Sequence, residues 1–191
     1  MGREFELKYA ATTEILTILA SEGRFTSISM ETVYYDTPAG DLAQKRITLR
    51  CRKENDRSIC TVKTPGDQYG RGEWELECGD IRQAIPELCK SGAPEELLPL
   101  AQGKLHAVCG ARFTRLAKEI NLPNAQAELA LDSGVLLGAG QEIPLCEVEI
   151  EHKSGDEAAV LAYAQALAAQ YSLESEPRSK FQRAAQLAKG G

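Results

Sequence analysis

Along Glu4-Phe5-Glu6-Leu7-Lys8, charged residues alternate with apolar ones. Successive side chains of an extended strand point to opposite faces, so Glu4, Glu6 and Lys8 share one face and Phe5 and Leu7 the other. The same period of two returns downstream. Arg50 and Arg52 oppose Leu49 and Cys51, Thr61 and Lys63 oppose Cys60 and Val62, and Glu73 and Glu75 oppose Trp74 and Leu76. Later, Glu128, Ala130 and Asp132 oppose Leu129 and Leu131, while Glu147, Glu149 and Glu151 oppose Val148 and Ile150. With the turn residues between them, these runs predict strands over 2–9, 28–36, 46–53, 58–64, 72–78, 110–121, 125–137 and 143–152.

Helical spacing is confined to the segments between. Ile15, Leu16, Ile18 and Leu19 predict a helix over 13–22 with Gly23 closing it. Thr37-Pro38-Ala39-Gly40 is a break, followed by a short helical turn over 41–45. Segments 80–91, interrupted at Pro86, and 95–102 read as helices, and Asp156 is placed to cap a long Ala-rich helix ending at Tyr171. A last helix is expected from about Pro177 to Lys189. So many closely spaced strands predict an α+β fold: a closed antiparallel sheet with helices packed outside it.

Composition narrows the function classes. A chain of 191 residues fits one domain, and a net charge of -6 argues against non-specific binding to nucleic acid or to an anionic membrane. No apolar run reaches spanning length, and MGREFELK lacks the apolar core of a signal peptide, so the expected location is cytoplasmic. Six cysteines without a C-x-x-C pair, beside only two histidines, argue against zinc and for reduced, mostly buried thiols. His106 and His152 read as surface or packing residues, and Tyr34 and Tyr35 as strand core.

The charged faces are the candidate chemistry. A wet outer face would account for any one of these strands. The set is different, because acidic pairs sit on some strands and basic pairs on others. Like charges sharing a face repel unless a counter-charge lies between them. Glu4 with Glu6, Glu73 with Glu75, and Glu147 with Glu149 and Glu151 call for cations, whereas Arg50, Arg52 and Lys63 call for anions. A metal-bound polyphosphate supplies both. Carboxylates are the hard donors Mg²⁺ and Mn²⁺ prefer, arginine offers a planar fork to phosphate, and lysine a compact charge. Trp74 lies opposite Glu73 and Glu75 and is expected to pack between sheet and helix. At 6% aromatic residues, the chain offers few platforms for stacking a base or thiazolium ring.

The EFELK strand resembles the E-x-E-x-K signature of the CYTH superfamily, the triphosphate tunnel metalloenzymes. The segments that follow resemble the family in order: Tyr34-Tyr35-Asp36-Thr37-Pro38, Leu49-Arg50-Cys51-Arg52, Thr61-Val62-Lys63, Arg71-Gly72-Glu73-Trp74-Glu75, Arg112-Phe113-Thr114-Arg115, Glu147 through Gly155, and Ser179-Lys180. The resemblance implies a single tunnel domain over 1–191, an eight-stranded antiparallel β-barrel with the last helix closing or flanking it. It also implies Mg²⁺- or Mn²⁺-dependent chemistry on a triphosphate. Carried over, Glu4, Glu6, Glu149 and Glu151 would hold metal, with Glu147 an alternative on the last of these strands. Lys8, Arg50, Arg52, Lys63, Arg115 and Lys180 would grip phosphates, with Arg112 and Lys118 as alternatives to Arg115. Glu73, Glu75, Glu128 and Asp132 would join Lys8 in the catalytic set, positioning a second metal or water. In length and in its late E-V-E-I-E strand, the chain is most similar to bacterial inorganic triphosphatases. The expected reaction is hydrolysis of tripolyphosphate to diphosphate and phosphate. Alternatives are a class IV adenylyl cyclase, a thiamine or nucleoside triphosphatase, or a sensor that binds without turnover. A homodimer is compatible with the fold.

Overall fold

A computed structural model describes residues 2–66 and 70–189, and the side chains of all of these except 2–4, 70, 71 and 189. Among the described residues, nine strands form one antiparallel sheet. They are β1 (Gly2–Ala10), β2 (Thr26–Asp36), β3 (Thr48–Glu54), β4 (Arg57–Lys63), β5 (Gly70–Glu77), β6 (His106–Leu122), β7 (Ala125–Gly138), β8 (Gln141–Gly155) and β9 (Glu174–Ser175). Their order is β5-β4-β3-β2-β6-β7-β8-β1-β9. β1 pairs with β8 over Glu6–Ala10 and also with β5, where Gly2 lies opposite Glu73 and Phe5 opposite Gly70. The expected count of eight is corrected to nine: β9 is two residues long and pairs with Tyr9 and Ala10. Two residues are too short for any period to show in the sequence.

The apolar faces of the strands are covered by helices, as the alternation requires. α1 (Thr13–Ser21) and α4 (Glu157–Tyr171) pack on the side of β1, β7 and β8 that carries Phe5, Leu129, Leu131, Val148 and Ile150. α2 (Asp41–Gln44), α3 (Ile81–Lys90) and a 3₁₀ segment (Glu95–Ala101) cover Leu49, Cys60 and Val62. Those three are fully buried, and truncating a leucine such as Leu49 to alanine costs about 2–5 kcal/mol. Trp74 packs on this second cluster, as expected from its parity.

Local chemistry sets the helix ends. Thr12 and Asp156 accept the N–H groups of Ile15 and Ala158 at the starts of α1 and α4. Asp36 is buried at the end of β2 and accepts three backbone N–H bonds, from Thr37, Leu42 and Ala43, at 2.7–3.0 Å. That carboxylate ties the Thr37-Pro38 break to the first turn of α2. Three helices depart from expectation. α3 runs continuously through Pro86, because a single proline removes one hydrogen bond while Ile81, Ile85 and Leu88 remain buried on its inner face. The last helix, α5, begins at Lys180 rather than near Pro177. Ser179 and Gln182 cap it reciprocally: the Gln182 N–H donates to Ser179 Oγ at 3.1 Å, and the Ser179 N–H to Gln182 Oε1 at 2.8 Å. Gly23 does not close α1; Glu22 takes the cap position with an ordinary negative φ.

A third cluster sits on the other face of the sheet. Met30, Ala111, Phe113, Leu136 and Leu145 receive Ala184 and Leu187 of α5. Gly138 permits that approach, since a Cβ there would lie 2.6 Å from the Ala184 carbonyl oxygen and 2.9 Å from the Ala188 nitrogen. The first turn of α5 is thereby held against the charged faces of β6, β7 and β8.

Candidate active site

The charged faces converge on one cavity of about 170 Å³. Lys8, Arg50, Arg52, Lys63, Arg115 and Lys180, the six expected phosphate ligands, all line it, and Lys153 joins them. The carboxylates Glu6, Glu73, Glu75, Glu149 and Glu151 line it too. Of the remaining expected residues, Asp132 and Glu128 are not in the lining, and the Glu4 side chain lies outside the described ones.

On one wall, β3, β4 and β5 interleave opposite charges. Lys63 lies directly opposite Glu73, with Nζ 3.0 Å from Oε1, and Arg50 reaches within 3.7 Å of both Glu73 and Glu75. Thr61 donates to Glu75 at 3.0 Å. Arg52 pairs with Glu54 at 3.2 Å. Burial, and then the neighbouring charges of Arg50 and Arg115, hold the Arg52 pKa below the ordinary arginine value.

The opposite wall is acidic, and α5 inserts a cation into it. Asp132, Glu147 and Glu149 bring carboxylate oxygens within 4.8 Å of one another, close enough to share a metal ion. The Lys180 ammonium is there instead, 2.8, 2.5 and 2.7 Å from the three. Burial alone would lower the Lys180 pKa; Glu149, Asp132 and Glu147 outweigh it and leave that pKa raised. Burial likewise pushes Glu149 up, but Lys180, Arg115 and Lys8 hold it well below the usual carboxylate range. Glu147 ends on the other side: burial dominates and keeps it raised against Lys180 and Arg183. Arg115 grips Asp132 with two bonds, 2.8 and 2.7 Å, and also bonds Glu149. Arg112 is exposed and bonded to Glu142, and Lys118 lies over the Phe25 ring, so of the three basic residues on β6 the structure brings only Arg115 to the cavity.

A second row of carboxylates runs across the neighbouring strands. In register, Glu6 of β1 lies opposite Glu151 of β8, which lies opposite Glu128 of β7. Like charges directly opposite are destabilising without a counter-charge. Lys153 supplies part of it, 2.8 Å from Glu151 and 3.9 Å from Glu128. Oxygen donors from adjacent strands on one face are the donor set Mg²⁺ or Mn²⁺ takes.

Several lining residues escaped the sequence reading. Lys153 continues the parity of Glu147, Glu149 and Glu151, and that signal was available. Tyr34 is not plain strand core: it lines the cavity and its ring meets Phe181 at 5.2 Å. Phe113 lies beneath the Lys180 ammonium, 5.2 Å from it. Phe181 and Ser179 arrive with α5, whose docking no local pattern announces. His152 does what was expected, packing edge-on against Phe5 and bonding the Gly155 carbonyl.

The CYTH domain family matches residues 2–185. The chain belongs to this family. An inorganic triphosphatase from Haemophilus influenzae is 28% identical over 170 residues, covering 82% of this chain and 47% of that protein. The chain thus spans about half the length of this curated relative. Among solved structures, a candidate adenylyl cyclase from Hippeastrum, described as having a dominant triphosphatase activity, aligns with a TM-score of 0.67 at 18% identity, over 98% of this chain and 96% of its own. A candidate adenylate cyclase from Bacillus halodurans aligns with a TM-score of 0.59 at 20% identity, over 96% and 98%. These likenesses carry the CYTH fold. Among the described residues, no helix is long and apolar enough to cross a membrane.

Proposed function

We propose that this CYTH chain hydrolyses inorganic triphosphate to diphosphate and phosphate with the help of Mg²⁺ or Mn²⁺. The observation that carries the reading is the convergence of Arg50, Arg52 and Arg115 on one cavity. Guanidinium groups gathered at one cavity suit a concentrated anion, and a short polyphosphate matches their forks. The kinship with an inorganic triphosphatase agrees with this. The pairing of β1 with β5 supports reading eight strands as a tunnel joined at that seam, with β9 an addition outside it.

In this reading, Arg50, Arg52 and Lys63 bind the anion from one wall, and Lys8, Arg115 and Lys180 from the other. Glu6 and Glu151 would hold the metal, with Glu128 behind Glu151, while Glu149 stays with Lys180 and Arg115. When bound, the ion neutralises charge on phosphate oxygens and lowers the pKa of water. The basic residues orient the chain of phosphates and stabilise charge on the transferred group, and a loose transition state asks little of a general base. Glu73 and Glu75, already tied to Lys63 and Thr61, keep the basic wall aligned.

The test is phosphate release from tripolyphosphate with Mg²⁺ or Mn²⁺, run beside ATP and thiamine triphosphate. Release from tripolyphosphate is expected to exceed the others. Cyclic AMP formed from ATP would establish the cyclase instead, release from thiamine triphosphate alone that hydrolase, and binding without release a sensor.

A further inference from the structure

On the helix-covered face of the sheet, away from the cavity, two thiols share one place. Cys51 of β3 and Cys60 of β4 are directly opposite in the antiparallel register. Directly opposite residues in such a pair have Cα atoms about 4.5–5.5 Å apart, inside the range a disulfide spans. Both sulfurs turn to the same acceptor, the Cys78 carbonyl, at 3.7 Å from Cys51 and 3.2 Å from Cys60. Cys60 is fully buried, whereas Cys51 is only half-buried and open to a small reagent.

We propose that Cys51 and Cys60 form a peroxide-sensitive thiol pair, in which Cys51 is oxidised first and Cys60 resolves it to a cross-strand disulfide. The Cys51 thiolate attacks one oxygen of hydrogen peroxide. An S–O bond forms, the O–O bond breaks, and hydroxide leaves to be protonated, giving the sulfenic acid and water. The Cys60 sulfur then attacks the Cys51 sulfur. An S–S bond forms, the S–O bond breaks, and the departing hydroxide takes the Cys60 proton as a second water. Two thiols lose two electrons and one peroxide gains them.

The assignment of roles follows from access and from acidity. The neighbouring Cys60 thiol lowers Cys51 to about 7, against burial and the charge of Asp80. The same neighbour relation, with burial, raises Cys60. Cys109 is pushed up to about 12 by burial alone, and Cys89 is also raised. The thiolate is the reacting form, so Cys51 should lead at neutral pH. The site stands apart from the triphosphate reading, although Cys51 lies between two cavity residues, Arg50 and Arg52.

The experiment is brief exposure of the reduced full chain to hydrogen peroxide at pH 7, alkylation, digestion and mass spectrometry. The expected product is a Cys51–Cys60 linked peptide that disappears with dithiothreitol. Cys51 should be consumed at least about tenfold faster than Cys89 or Cys109, as its larger thiolate fraction implies. In C60S, a sulfenic acid trapped by dimedone is expected at residue 51; in C51S, Cys60 should remain a thiol. A link from Cys51 to Cys78, oxidation of Cys51 without any link, or uniform oxidation of all six cysteines would overturn the proposal.

Discussion

Asp132 grips Arg115 with both carboxylate oxygens, Nε to Oδ1 at 2.8 Å and Nη2 to Oδ2 at 2.7 Å, from a position with no solvent exposure. The same carboxylate lies 2.8 Å from the Lys180 ammonium. It therefore fixes two cavity cations that arise from different elements, β6 and α5. On the proposed function, Asp132 acts by positioning these two cations.

The substitution Asp132→Asn keeps the shape and removes the charge. Leaving two buried cations short of a partner costs about 3–5 kcal/mol of stability. Misplacing Arg115 and Lys180 should lower kcat/KM for tripolyphosphate about 100-fold. Urea denaturation measures the first effect and phosphate release the second. A variant of unchanged stability would remove Asp132 from this role.

Arg52 should behave in the opposite way. It is buried beside Arg50 and Arg115, whose charges oppose its own, and its partner Glu54 retains access to water. The substitution Arg52→Gln is expected to leave the unliganded protein as stable as before or slightly more so. A charge-assisted bond to phosphate contributes about 1.5–3 kcal/mol, so kcat/KM should fall between about tenfold and 100-fold. The rise in Tm on adding tripolyphosphate should shrink accordingly. A lower Tm without ligand would mean that Arg52 supports the fold instead.

Much of this arrangement was legible in the strand parity. Lys8, Arg50, Lys63 and Glu149 face the cavity because their apolar neighbours must face helices, and period two leaves no other choice. Parity also extended to Lys153. It did not reveal depth: Glu128 and Asp132 share the charged face of β7, yet they sit behind the lining rather than in it. Nor did it reveal what α5 delivers. The Lys180 ammonium satisfies carboxylates that, read strand by strand, called for a metal, and the helix carrying it is docked by the distant Gly138, Leu136 and Leu145. Long-range packing of that kind leaves no local period.

On the proposed function, metal dependence is expected to reside in the carboxylate row. Glu6, Glu151 and Glu128 face one another across three strands, whereas Asp132, Glu147 and Glu149 already surround an ammonium. The double substitution Glu6→Gln and Glu151→Gln should raise the Mn²⁺ concentration for half-maximal activity by about tenfold or more. Calorimetric titration of Mn²⁺ into the unliganded protein should show the same weakening. Unchanged Mn²⁺ affinity would move the metal to another set of residues.

Acid should unfold the protein through carboxylates held low in the native state. Glu176 accepts two bonds from the Arg178 side chain and one from its backbone N–H, and its pKa is held at about 2. Glu149 is shifted in the same direction by Lys180, Arg115 and Lys8, against its burial. A carboxylate with a depressed native pKa contributes its stability above the unfolded value of 4.5 and loses it as pH falls towards the native value. Glu147, shifted upward, works the other way: its share is present at low pH and lost as pH rises above 4.5. Glu14 and Glu77 are lowered as well, and the Glu147 change falls above this window, so stability is lost between pH 4.5 and 2. Urea midpoints should therefore fall across that window, and Glu176→Gln should flatten the fall because one titrating group is gone. An equally steep profile in the variant would show that Glu176 keeps no proton-linked stability in the native fold.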